Sequence, residues 1–540
     1  MKVIIVLLFS FCIHSLGAQN RSFATLTIVN NPKPGKSGFV PFDSSKYRKA
    51  ERIFNKLVNA RGDFRYPVPS FTMTATDEWV AFMDYASMEI GIEAKAYKVC
   101  ESMGDQAESA LAFLLGHELS HYYEKHAWKK GFAKEFRDLP IGMKIDSLQE
   151  DISNETEADY LGGFLCYSAG FGIFDQAGEL MQRLYKEYKL PEKMKKYPSL
   201  SDRQLMSNRT GEKLRRLVYV FDLANLLTVT GNYSEAYKYY KYILMQYQSR
   251  EIYNNLGTTS LLDALHYISE KELKFKYPIQ LDLSASQKDG FSNVADKLIR
   301  QAILHFDAAI NLDPDYAPAY LNKACAYALL GDKVRARFYG DVETRAVAGK
   351  NQDSASLTKI SVLMGILEAQ EGNVDAAARL FEKASNEGNK LAGLNLKILK
   401  GDPIGLEKEA VSGLKKEKID NQNLKSMMLE NQFSNLRTIP IESGVNCNYV
   451  ESQGPSSFLF VSENELTEVN WYFHGTKPGY NGSTARNIKI GADHTAIVSA
   501  YGDPGRTIET PLGTILAYRS IIFILNNDNK LDRWIVYEKS

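Results

Sequence analysis

The feature that most constrains the fold is a recurrence of small residues in the second half of the chain. Ala302 and Ala336 lie 34 residues apart, and Pro314 between them is placed to end a helix. Units that repeat at this period are pairs of helices, which bury their apolar faces only by stacking on their neighbours. The sequence therefore predicts an all-α solenoid in this region.

This period is similar to that of tetratricopeptide repeats. Further copies of the pattern surround Gly231 and Gly372, another begins at Tyr253, and Tyr277–Ser292 interrupts the series as a loop insertion. About four repeats are predicted between 213 and 425. The resemblance implies a concave surface for peptides or partner proteins. A purely structural platform for the rest of the chain is the alternative.

Length and charge exclude several classes of protein. A chain of 540 residues is too long for one ordinary domain, and a hydrophobic content of 44% excludes wholesale disorder. Lys+Arg and Asp+Glu both number 65, so the formal net charge is zero. This balance gives no global attraction to nucleic acid or to an anionic membrane. No membrane-spanning segment is predicted after the N-terminal run.

The first 18 residues are typical of an export signal. Val3–Ile13 is an almost unbroken apolar run, and Ser15–Ala18 supplies small residues for cleavage near Ala18. The run is shorter than the roughly 18 to 20 residues that span a bilayer as a helix. We therefore expect a cleaved signal and an exported chain, with an uncleaved N-terminal anchor as the alternative.

Residues that could bind a metal lie between positions 105 and 128. Leucines at three- and four-residue steps predict an amphipathic helix in this segment. His117 and His121 are four residues apart, so both imidazoles leave one face and can meet one Zn²⁺ at roughly 2.0–2.1 Å. Glu118 is displaced round the helix, where it can accept a proton from a water on the metal.

The third ligand is expected in the segment 154–159, which opens another helical run. Glu155 and Asp159 are four residues apart and share one face of that helix. Glu155 can ligate zinc, and Asp159 can accept an N–H from a ligand histidine. Glu157 is expected to point elsewhere as a solvated charge.

Together these two motifs resemble the M48 metallopeptidases, a group of gluzincins with HExxH on one helix and ExxAD on the next. His126 and the run from Ala158 to Phe171 also resemble the family's continuation. The resemblance implies that His117, His121 and Glu155 bind one zinc ion, that Glu118 is the general base and that Asp159 supports a ligand. It covers roughly residues 40–210 and implies a compact α+β zincin-type domain.

The segment from Tyr197 to Arg203 is similar to the family's segment over the active site, and both residues are candidates for a lid. The family's usual histidine is replaced by Tyr197 here, so self-inhibition through a histidine on the zinc is not expected. A phenol could instead donate a hydrogen bond to the oxyanion. Packing on the domain surface is the alternative for Tyr197.

Two further features lie beside this motif region. The segment Ala86–Ile92 alternates apolar with small or polar residues and predicts a strand. An edge strand there would pair with an extended substrate, and an interior strand is the alternative. Cys100 and Cys166 are expected to be buried free thiols, with a disulfide between them as the alternative.

The end of the chain is predicted to be a small, mostly antiparallel α+β module. Strands are predicted at five places, with a hairpin turn at Asn526–Asn529: 458–461, 468–473, 515–518, 521–525 and 534–537. A short helix is expected after Asp493. The segment resembles modules related to β-lactamase-inhibitor protein, which implies protein binding.

The complete prediction is a multidomain chain. It comprises a signal peptide (1–18), a metallopeptidase domain (19–212), tetratricopeptide-like repeats (213–425) and the C-terminal module (436–540). The predicted function is hydrolysis of peptide bonds in extended or unfolded polypeptides, with the repeats recruiting substrates or partners. The alternative is a chaperone or assembly scaffold with a latent protease site. We expect a periplasmic location, with secretion or outer-membrane association as alternatives.

Overall fold

The computed structural model describes residues 23–24, 44–78, 80–126, 151–191, 200–269, 273–279, 292–402, 417–429, 436–450, 457–477, 479–510 and 513–540. Two compact units make up the chain, 1–60 with 68–213 and 61–67 with 214–540. In the described part, no helix combines the length and apolarity needed to cross a membrane. The predicted signal peptide, at 1–18, lies outside the described residues.

A mixed sheet forms one layer of the first unit. Its strands are β1 (Phe23–Ala24), β2 (Ser70–Thr74), β3 (Ala81–Asp84) and β4 (Glu89–Glu93). The order is β1-β3-β4-β2, with β2 parallel to β4 and the other neighbours antiparallel. β3 and β4 are joined by a tight turn that begins at Tyr85.

The strand predicted at Ala86–Ile92 starts only at Glu89, because the chain turns at 85–88 with Met88 at a φ of 52°. This strand, β4, lies between β3 and β2, so the prediction of an edge strand for substrate pairing is wrong and the interior alternative holds. Across the pair, Phe82 faces Gly91, where a Cβ would lie 2.2 Å from the ring. The aromatic ring occupies the space that a side chain would need.

Helices pack against this sheet and against one another in the first unit. They are α1 (Ser45–Arg61), α2 (Ala94–Glu101), α3 (Ala107–Tyr123), α4 (Asp151–Ser168) and α5 (Ala177–Glu187). α3 contacts β3, β4, α2, α4 and α5. Every residue from Ala110 to His121 is buried, so α3 is a central helix that is buried on all sides rather than the amphipathic helix predicted from its leucines.

The second unit begins with paired helices. They are α6 (Leu200–Val229, which starts in the first unit), α7 (Tyr233–Leu244), α8 (Arg250–Leu265), α9 (Ser292–Leu312), α10 (Ala317–Leu329), α11 (Lys333–Arg337), α12 (Arg345–Lys350), α13 (Ser354–Gln370), α14 (Val374–Asn386), α15 (Lys390–Lys400) and α16 (Leu424–Leu429). A π-helical turn, Phe338–Thr344, joins α11 to α12. Glycines with φ of 76–86° follow the first helix of three pairs: Gly231, Gly331 and Gly372. These turns lie where the repeat pattern predicts them.

Small residues allow the paired helices to approach closely. A Cβ on Gly257 would lie 2.5 Å from the ring of Phe306, and one on Gly365 would lie 2.6 Å from the ring of Phe381. Both phenylalanines are fully buried. The same pairing of a glycine with a phenylalanine therefore recurs in two places, as expected for a repeated helix pair.

The second unit ends in an eight-stranded sheet. Its strands are β5 (Arg437–Glu442), β6 (Val445–Val450), β7 (Ser457–Asn464), β8 (Val469–Thr476), β9 (Arg506–Thr510), β10 (Gly513–Ala517), β11 (Ile521–Leu525) and β12 (Leu531–Lys539). The order is β5-β6-β7-β8-β12-β11-β10-β9, with antiparallel neighbours throughout. A short helix, α17 (His494–Tyr501), contacts Phe523 through Tyr501 and shares a hydrophobic core with Trp534. The predicted antiparallel module is confirmed at this level.

Candidate metal centre

Two glycines bring α3 and α4 close together at the predicted site. A Cβ on Gly116 would lie 2.9 Å from the carbonyl oxygen of Gly162, and one on Gly162 would lie 2.7 Å from the backbone nitrogen of His117. The contact therefore excludes any larger residue at either position. Gly116 directly precedes His117, and Gly162 lies two helical turns after Glu155. This crossing places the predicted third ligand beside the histidine pair.

The three predicted ligands converge. Nε2 of His117 lies 3.0 Å from Nε2 of His121, and the carboxylate oxygens of Glu155 lie 3.4 Å and 3.6 Å from these two nitrogens. In a tetrahedral zinc site, neighbouring ligand atoms are about 3.3 Å apart. The spacing of two imidazoles and a carboxylate therefore fits the donor set and size of a zinc centre.

Each ligand histidine is held at its other ring nitrogen. Nδ1 of His117 lies 2.7 Å from Oδ1 of Asp159, the residue predicted to accept an N–H from a ligand histidine. Nδ1 of His121 lies 2.7 Å from Nδ1 of His126, and Nε2 of His126 lies 3.2 Å from Oε2 of Glu157. Glu157 is 43% exposed at its side chain but contacts His126, so the prediction of a purely solvated charge is wrong.

The role of His126 was not predicted. His126 lies five residues after His121 and beyond Tyr123, where α3 ends. Helical periodicity therefore does not predict a contact between these two side chains. The contact arises from a turn in which Lys125 has a φ of 56°. The sequence signals for His126 were a third histidine near the motif, in a chain that contains eight, and its place in the resemblance to the metallopeptidase family.

The electrostatic environments of the two ligand histidines differ. Burial alone would lower the pKa of His117, but the carboxylates of Asp159 and Glu155 raise it to about 10. Burial lowers the pKa of His121 to about 3. One imidazole thus favours a positive charge among carboxylates while the other favours neutrality. A dication shared by both Nε2 atoms would supply that positive charge instead of the proton.

Glu118 and the end of α3 complete the site. Glu118 directly follows His117 on α3 and is fully buried. The hydroxyl of Tyr85, in the turn after β3, donates a hydrogen bond to the backbone oxygen of His121 at 2.6 Å. The sheet therefore holds the last turn of α3, a contact that no sequence pattern indicated.

The remaining predicted residues are placed as follows. Tyr197 lies outside the described residues. Arg203 lies in α6, where the structure describes its backbone but not its side chain. Cys100 and Cys166 are buried free thiols, as expected, and burial raises the pKa of both well above its ordinary value. Neither thiol is therefore suited to act as a nucleophile.

Comparisons with known proteins give one family match, which lies within the helical repeats. Among solved structures, the human IFIT1 dimer with PPP-AAAA is similar at 14% identity and a TM-score of 0.27, over 57% of this chain and 67% of that chain. A search of curated proteins finds no match. Residues 305–338 match the tetratricopeptide repeat family. The repeat predicted around Ala302–Ala336 is thereby confirmed.

Proposed function

We propose that this protein is a zinc-dependent metalloendopeptidase. The observation that carries the proposal is the convergence of His117, His121 and Glu155, whose ligand atoms lie within 4.8 Å of one another. Such a donor set of two imidazoles and one carboxylate leaves a coordination position for water or substrate, as catalytic zinc sites require. A structural site would be expected to use four protein ligands.

The chain's own residues would divide the chemistry between them. When bound, zinc polarises a carbonyl oxygen and lowers the pKa of a water to about 7. Glu118 would accept a proton from the attacking water and pass it to the leaving amine. Asp159 would accept the Nδ1 proton of His117 and keep Nε2 directed at the metal.

Polypeptides are the proposed substrates, and the helical repeats are proposed to recruit substrates or partner proteins. Because β4 is interior, a pairing of substrate with that strand no longer supports a preference for extended chains. The proposed setting is the processing or quality control of proteins in a bacterial envelope, most simply the periplasm. The resemblance of the C-terminal module to β-lactamase-inhibitor protein supports a protein-binding role there.

The test is zinc content together with casein cleavage by purified protein. We expect about one zinc per chain and cleavage that stops in Glu118→Gln. Glu108→Gln is the matched control, because Glu108 lies on the same helix but forms exposed ion pairs with Lys49 and Arg52. Absence of zinc in the parent would refute the ligand assignment. Cleavage by Glu118→Gln at the parental rate would refute its role as base.

A scaffold or chaperone with a latent protease site is the second candidate, favoured by the match of residues 305–338 to tetratricopeptide repeats. Stoichiometric zinc without cleavage of casein, or of a panel of folded envelope proteins, would favour this alternative. Cleavage of casein but not of folded proteins would favour quality control over the processing of one partner.

A further inference from the structure

We propose that His126 is a positioning residue for the metal: it accepts the Nδ1 proton of His121 and donates its own Nε2 proton to Glu157. This inference rests on the proposed zinc site. Its geometric basis is a chain of two contacts, 2.7 Å between the Nδ1 atoms of His121 and His126, and 3.2 Å between Nε2 of His126 and Oε2 of Glu157.

Ligation determines the direction of these hydrogen bonds. Nε2 of His121 faces His117 and Glu155, so this atom presents its lone pair to the metal. A neutral imidazole that binds through Nε2 carries its proton on Nδ1. Nδ1 of His126 must then be the acceptor, which leaves the proton of His126 on Nε2, directed towards a carboxylate.

Burial makes this contact hard to replace. His121 and His126 are 1% and 3% exposed, so water has little access to either Nδ1 atom. Glu157 is 43% exposed at its side chain, and water can substitute for it. The hydrogen bond between His121 and His126 should therefore contribute more to metal affinity than the hydrogen bond between His126 and Glu157.

The two ligand histidines are consequently held in different ways by the same helix. His117 meets a carboxylate of α4 directly, at Asp159, whereas His121 reaches Glu157 of α4 through a second imidazole. Glu155, the third ligand, also belongs to α4. A shift of α4 would therefore change one ligand and the support of both others.

The experiment measures zinc dissociation constants by chelator competition on the full chain, with the visible spectrum of the cobalt-substituted protein as a second readout. His126→Leu removes the acceptor but fills a similar volume. His126→Asn keeps an oxygen acceptor at the same distance along the side chain as Nδ1. Thermal unfolding with excess chelator reports whether each variant folds.

We expect His126→Leu to weaken zinc binding by about 10- to 100-fold and to change the cobalt spectrum, as for other outer partners of ligand histidines. The zinc affinity of His126→Asn should stay closer to that of the parent. Glu157→Ala should lose less zinc affinity than His126→Leu. Parental zinc affinity in His126→Leu would overturn the inference alone. Equal losses in the leucine and asparagine variants would also overturn it, because shape rather than the acceptor would then matter. If the parent binds no zinc, the proposed function fails, and the inference with it.

Discussion

Nδ1 of His117 lies 2.7 Å from Oδ1 of Asp159, which joins the first histidine of α3 to the helix that carries Glu155. A carboxylate at this position fixes the tautomer that binds a metal through Nε2. We expect Asp159→Asn to weaken zinc binding by about 10- to 100-fold, because an amide can also donate and no longer specifies that tautomer. Chelator competition measures the effect, with the exposed Asp175→Asn as control. Equal affinities in both variants would contradict the assigned role.

The crossing of α3 and α4 should not tolerate a methyl group at Gly162, where a Cβ would lie 2.7 Å from backbone atoms of Gly116 and His117. We expect Gly162→Ala to destabilise the protein by about 1–3 kcal/mol, since backbone atoms must move. Displacement of Glu155 should also weaken zinc binding.

Gly211→Ala is the matched control for this substitution. Gly211 also lies within a helix, α6, and a Cβ there meets nothing within 4 Å. Its replacement should leave stability unchanged or raise it by up to about 1 kcal/mol, in line with helix propensity. Denaturant unfolding compares the two variants, and equal midpoints would show that the crossing can relax.

His474 should make the second unit sensitive to acid. Burial lowers its pKa to about 4, although Asp420 acts in the opposite direction. The folded pKa lies below the ordinary value of 6.5, so the unfolded chain takes up the proton first. The contribution of neutral His474 to the free energy of unfolding is complete above about pH 6.5. It is lost as the pH falls towards 4, and the total loss is about 3 kcal/mol.

Thermal unfolding at a series of pH values between 7 and 4 tests this prediction. The melting temperature of His474→Gln should fall less steeply across this range than that of the parent. His494→Gln, at a partly exposed position at the start of α17, should follow the parent. Identical slopes for the parent and His474→Gln would show that His474 does not cause the acid sensitivity.

Tyr239 links the helical repeats to the C-terminal sheet within the second unit. Its buried hydroxyl donates to the backbone oxygen of Asn446 at 2.8 Å and lies 3.0 Å from Oγ of Ser462. Tyr239→Phe should therefore destabilise the unit by about 1–3 kcal/mol, because the sheet loses a buried partner. Tyr242→Phe, on the same helix, is the control. Denaturant unfolding and limited proteolysis should show lower stability for Tyr239→Phe than for Tyr242→Phe. Parental stability in Tyr239→Phe would show that this contact does not stabilise the unit.

Several features follow from the sequence because they depend on short-range geometry. The four-residue spacings of His117 with His121, and of Glu155 with Asp159, place each pair on one helical face wherever that helix packs. The turns at Gly231, Gly331 and Gly372 need a positive φ, which glycine adopts readily. Runs of β-branched and aromatic residues likewise predict five of the eight described strands of the C-terminal sheet, but not β5, β6 or β9.

Contacts between distant segments were decided only by the tertiary structure. Alternation predicts a strand near Ile90 but not its neighbours, and pairing with both β3 and β2 makes it interior. Glu157 meets His126 because a turn after α3 returns the chain towards α4. The sequence thus determined which residues have the chemistry to bind a metal. The packing of α3 on α4, through Gly116 and Gly162, decided how these residues meet, because van der Waals contact depends on both helices at once.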